Sequence, residues 1–165
     1  LERLEDASAA ALRGTSILAE TLPLRAPDRL AAERDAVALT AAIGEADAAR
    51  RRLREIRADL DEAAGAPGAG PRRLHAAASW WLDPPLAGAD DPEAARRHAR
   101  HAVRRAERPV AEFDVLLAAA MAAAGDEAAA RDHLERARDW YAGNDALRAW
   151  MAAEYDRLRA TAASR

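Results

Sequence analysis

Residues 114–155 read DVLLAAAMAAAGDEAAARDHLERARDWYAGNDALRAWMAAEY. Within this stretch Asp114-x2-Leu117-Ala118-x2-Met121 returns 34 positions later as Arg148-x2-Met151-Ala152-x2-Tyr155. Apolar residues spaced by three and four predict helices. Between the copies, Gly125-Asp126 stops one helix and starts another, glycine as the residue after the C-cap and aspartate as the N-cap. Ala130, Leu134 and Ala137 carry the second helix. A fixed period of this length marks stacked helix hairpins, none of which can bury its apolar face alone. The stretch predicts a scaffold and contains no reaction centre.

The pattern recurs upstream. Gly44 followed by Ala49, Leu53 and Ile56 matches Gly125, Ala130, Leu134 and Ala137 position for position, and Ala95, Ala99 and Ala102 repeat the same spacing. Reading outward predicts eight helices, over 2–21, 28–43, 46–63, 72–82, 92–107, from Pro109 to 124, 126–141 and 145–160. The first has Leu4, Ala11, Leu12, Ile17 and Leu18 as a loose apolar face, interrupted by Ser8. Gly14 weakens its middle, and Pro23 and Pro27 punctuate its exit. Asp83-Pro84-Pro85 ends the fourth helix, because proline lacks an amide donor, and Asp91-Pro92 restarts the chain with a cap and a first-turn proline. Gly143-Asn144 is expected to repeat the stop-and-start of Gly125-Asp126. The expected fold is all-α, an antiparallel helix-hairpin solenoid in one domain over 1–165. Within it, 1–63 are N-terminal helices, 64–71 (Ala-Gly-Ala-Pro-Gly-Ala-Gly-Pro) a flexible loop and candidate hinge, and 72–165 repeats and a capping helix.

Composition agrees. Roughly 30% of the chain is Ala, far above ordinary usage, and Ala has the best helix propensity. There is one Phe and no alternating apolar run. Every basic residue is Arg, which reads as the codon bias of a GC-rich bacterial genome. The net charge of −3 argues against a chain built for nucleic acid. The absence of Cys excludes disulfides, thiolate metal sites and cysteine nucleophiles. No membrane-spanning stretch and no signal peptide are visible. The chain begins at Leu1, so it reads as a trimmed piece of a larger protein, with a cytoplasmic location expected.

These residues resemble the tetratricopeptide repeat (TPR) family. The best copy is Ala111–Asn144, with Leu117, Ala118 and Met121 where the family packs its first helix on its second, and Ala130, Leu134 and Ala137 packing back. Leu30–Arg57 is a weaker copy through Ala36, Val37 and Thr40. Residues 71–108 form a stretched one through Leu74, Ala77, Ala78 and Trp81, with 83–91 as an insertion. Asp114 and Arg148 stand where the family usually has a large aromatic, and the closing proline is missing at Ala142-Gly143.

Chemistry-bearing residues are sparse. His98 and His101 share one helix face, but Arg96, Arg97, Arg100, Arg104 and Arg105 surround them and would repel a cation, so no metal site and no cofactor are expected. His75 and His133 read as isolated surface or edge residues. No nucleophile elbow and no phosphate-binding glycine loop is present, and an enzyme is not expected. Arg50, Arg51, Arg52, Arg54 and Arg57 form one basic cluster and Arg96–Arg105 another, both read as solvated faces. Trp80, Trp81, Trp140, Tyr141, Trp150 and Tyr155 hold nearly all the aromatic surface and read mostly as core. Trp140 and Trp150, close to one turn, are alternative partner anchors.

The resemblance also implies a concave groove lined by first helices. Carried onto this chain, its inward positions are Arg34, Ala38 and Ala41, then Arg72, His75 and Ser79. Glu112, Val115, Ala119 and Ala122 follow, and finally Ala149, Ala153 and Asp156. The N-terminal half would be basic and the C-terminal half a smooth alanine surface. The implied function is a non-catalytic interaction module within a larger bacterial regulatory protein. It would bind a peptide, a helix or a partner domain, the groove open or filled by helix 2–21, with a homodimer as one arrangement. The alternatives are a domain sensing a small ligand or signal peptide, and a dimeric bundle meeting nucleic acid through an Arg ridge.

Overall fold

The computed structural model describes residues 2–22 and 27–163. Among them are eight helices and no strand: α1 (Glu2–Thr21), α2 (Pro27–Ala42), α3 (Ala46–Gly65), α4 (Pro71–Leu82), α5 (Pro92–Arg105), α6 (Ala111–Ala123), α7 (Glu127–Asp139) and α8 (Asp145–Ala163). Pro23, expected at the exit of the first helix, lies outside the described residues. None of these helices is long and apolar enough to cross a membrane. The chain divides into two compact units, one of residues up to Ala63 with Pro84–Ala87, the other of Ala64–Asp83 with Gly88–Arg165.

In the first unit α1 packs on α2, through only part of the apolar face expected. Ser8 and Thr15 are buried, while Leu4, Leu12 and Ile17 are exposed. At 3.6 residues per turn Ser8, Ala11, Thr15 and Leu18 share one side, and Ile17 falls nearly opposite. The buried hydroxyls are satisfied locally: Thr15 donates to the Leu12 carbonyl at 2.8 Å and Thr40 to that of Ala36 at 2.7 Å. Ser8 and Thr40 also face each other across the helices, 3.5 Å apart. Gly44 turns α2 into α3 with φ of 92°, a left-handed conformation that costs a side-chain-bearing residue energy. It supports the paired bonds Glu45 N–H to Thr40 O (3.2 Å) and Gly44 N–H to Ala41 O (3.0 Å), which satisfy carbonyls at the helix end. Ala49, Leu53 and Ile56 are buried, as their spacing predicts.

In the second unit α6 is the central helix, packed against α4, α5, α7 and α8. Phe113 to Ala120 are buried without a break, so the helix is apolar on every side. Gly125, with φ of 88°, repeats the turn of Gly44, and the Asp126 carboxylate caps α7 by accepting from the Ala129 amide at 3.3 Å. Asp91 caps α5 in the same way, accepting from Ala94 N–H at 2.9 Å. Two expected boundaries differ. Pro109 does not open α6, because Val110 is the extended N-cap and the helix starts at Ala111. Gly143 has no positive φ; short turns carry the chain to Asn144, whose side chain accepts from Leu147 N–H at 3.0 Å and caps α8.

Candidate partner-binding site

The groove positions implied by the repeat pattern fall in different environments. In the first unit Arg34 is half-buried and Ala38 exposed. In the second, Arg72, Glu112, Ala149 and Ala153 are exposed, while His75 and Ser79 are half-buried. Val115 and Ala119 sit at 1% exposure, inside a cluster with Ala78, Leu82, Ala95 and Met151. The all-round burial of α6 therefore uses much of the alanine surface for internal packing. Ala122 and Asp156 do come together, lining a cavity of about 440 Å³ with Asp90, Pro92, Glu127 and Arg159. There Arg159 is spent on Glu127 at 2.6 Å.

A second recess, of about 300 Å³, opens between the α5–α6 connection and α7. Its walls combine apolar residues, Val103, Pro109, Val110, Phe113, Ala137 and Trp140, with the polar Glu107, Arg108, Asp114 and His133. Trp140 caps the C-terminus of α7 and is 73% exposed, against 3% for Trp80. Trp150 is also exposed, at 40%, while Tyr155 is buried, so the aromatic residues divide between core and surface. An indole held by a helix end and left in water is an expensive arrangement unless something covers it.

The cleft also holds a hydrogen-bonded polar pair. Asp114 and His133 both line it, with His133 Nε2 3.1 Å from Asp114 Oδ1. Asp114 is buried within the apolar α6, where an unpaired carboxylate would be costly. The expectation of an isolated His133 is thus corrected: it is the partner that makes Asp114 tolerable. Burial, then the nearby Asp114 charge, raise the Tyr141 phenol above its ordinary range.

On the other side of the 106–110 connection is a cavity of about 280 Å³, lined by Pro71, Arg72, Arg105, Arg108 and Glu107. Ala106, Glu107, Arg108, Val110 and Phe113 border both recesses. His75 is not isolated either. Its ring lies 4.9 Å from that of Phe113 at 37°, and burial lowers its pKa, opposed by Glu112 and assisted by Arg72.

Among the described residues, no serine, threonine, cysteine or lysine lines the Trp140 cleft. Among the described residues no three His, Asp or Glu side chains gather to hold a metal ion. Sequence reading singled out Trp140 as a possible anchor but missed Asp114–His133, since neither residue signals the other across a turn. No family model, curated protein or solved structure matches the chain.

Proposed function

We propose that the chain is a non-catalytic protein-interaction module of the TPR-like helical-repeat type, and that the Trp140 cleft receives an apolar side chain of a partner peptide. Support for the repeat reading comes from the 34-residue echo and from α6 packing on both its sequence neighbours and on α4 and α8, as stacked hairpins require. The single observation carrying the binding reading is the 73% exposed Trp140 at the rim of a partly apolar cleft. Tryptophan is enriched among residues that dominate binding energy. The Asp114–His133 pair has no nucleophile beside it and serves as a polar floor.

Selection of random dodecapeptides displayed on phage tests this. Wild-type protein is expected to enrich peptides with an apolar or aromatic anchor, and Trp140→Ala to weaken their binding at least about tenfold, a common loss at a binding hot spot. Selection of no peptide, or peptides binding the correctly folded variant as well as wild type, would overturn the proposal.

A further inference from the structure

We infer that the partner peptide is acidic, with carboxylates beside its apolar anchor held by Arg72, Arg105 and Arg108. This rests on the reading of the Trp140 cleft and names the chemistry of its occupant.

Some arginines of this chain are paired along their own helix. Arg50, Arg96, Arg138, Arg148 and Arg157 each pair with an acid three residues earlier, Asp47, Glu93, Glu135, Asp145 and Glu154. Three residues before Arg72, Arg105 and Arg108 stand Ala69, Ala102 and Arg105. Helical connections bring these three cations to one cavity, in which Glu107 is the one acid among the described lining residues. Arg105 donates through Nη1 to the Ala69 carbonyl at 2.9 Å, which fixes its guanidinium beside the N-terminus of α4 and leaves further donors for a ligand. All three side chains belong to exposed residues, so they stay hydrated until a partner arrives.

Guanidinium groups match carboxylate geometry and bind it in paired hydrogen bonds. The shared border of Ala106, Glu107, Arg108, Val110 and Phe113 places the basic cavity directly beside the Trp140 cleft. A short extended segment, advancing roughly 3.3 Å per residue, reaches both. The chain as a whole carries −3, so this basic spot opposes the overall charge and favours an acidic segment locally over long-range attraction of a polyanion.

The same dodecapeptide selection decides the matter. Peptides captured by wild-type protein are expected to be rich in Asp and Glu next to the apolar anchor. Their affinity is expected to fall at least tenfold in Arg72→Gln/Arg108→Gln and further in Arg72→Glu/Arg108→Glu. The Gln variant keeps the test valid where charge reversal disturbs folding. Captured peptides that depend on Trp140 but show no acidic enrichment would overturn this inference and leave the cleft reading standing. Capture of no peptide would remove both. Displacement of the peptide by a twelve-nucleotide oligo(dT), with the same arginine dependence, would assign the basic cavity to nucleic acid and overturn the acidic-peptide inference.

Discussion

His133 Nε2 lies 3.1 Å from Asp114 Oδ1, joining α7 to the most buried helix of the chain. The two residues are 19 apart in sequence and meet because the Gly125 turn folds α7 back along α6. Asp114 is buried in α6, so the contact between the two helices includes a hydrogen-bonded polar pair among apolar ones.

Removing one member should cost more than removing both. His133→Leu leaves a buried carboxylate without its partner and should destabilise by about 1–3 kcal/mol. Asp114→Leu/His133→Leu should recover most of that loss, because apolar replacement of a buried polar pair is often neutral. Urea denaturation of both single variants and the double variant closes the cycle. Additive losses would show that the pair is not energetically coupled.

His75 gives the fold a pH dependence of predictable sign. Burial lowers its pKa in the folded chain, opposed by Glu112 and assisted by Arg72. The unfolded chain therefore takes up the proton first, near the ordinary value of about 6.5. Stability from the neutral imidazole is present above that pH and is lost as pH falls toward the lower folded value. Wild type should consequently lose stability relative to His75→Leu between neutral and mildly acidic pH. Thermal unfolding of the two proteins across that range measures the difference; a wild type that gains on the variant as pH drops would contradict it.

The internal packing of α6 makes a sharper prediction. Leu134→Ala should cost on the order of 2–5 kcal/mol, since Leu134 is buried on the α7 face that meets α6. Ala119→Arg should be still less tolerated, because it forces a cation into a fully packed site at 1% exposure. Ala153→Arg, at an exposed position, should change stability little. Chemical denaturation separates the three. Equal behaviour of Ala119→Arg and Ala153→Arg would refute the burial assigned to α6.

These same positions show what the sequence carries. The buried residues of the hairpins, Leu117, Ala118, Ala130, Leu134 and Ala137, follow from apolar spacing alone, as do Ala49, Leu53 and Ile56. Spacing reports one face of one helix, however. The resemblance to the repeat family implies groove positions at Val115 and Ala119, which are buried at 1% exposure, and neither spacing nor resemblance says how many neighbours α6 acquires. On α1 spacing reaches Ala11 and Leu18 but also takes in Leu4, Leu12 and Ile17, which are exposed, because the buried Thr15 hides its hydroxyl on the Leu12 carbonyl, a solution invisible to an apolar pattern. The basic cavity is legible only in part for a related reason: Arg72 and Arg105 stand out singly, but Arg72, Arg105 and Arg108 come from two ends of a helix pair and a loop, and only folding collects them.

The ion pair of the first unit follows the same logic. Glu33 is completely buried on α2, and Arg52 of α3 answers it twice, through Nε to Oε2 at 3.0 Å and through Nη2 to Oε1. Arg29 adds a weaker approach at 3.9 Å. The hydrogen bond to Glu33 raises the Arg52 pKa against the opposing effect of burial. Arg52→Met strands the buried carboxylate, and because Arg52 itself is partly exposed the cost should be about 1–3 kcal/mol. Glu33→Met/Arg52→Met should be markedly more stable than Arg52→Met alone, since the double change removes the stranded charge and fills the space with apolar atoms. Hydrogen exchange of α2 amides reads this locally: protection lost in Arg52→Met should return in the double variant. If Arg52→Met and the double variant exchange alike, Glu33 is being satisfied by something other than Arg52, and Arg29 becomes the residue that holds it.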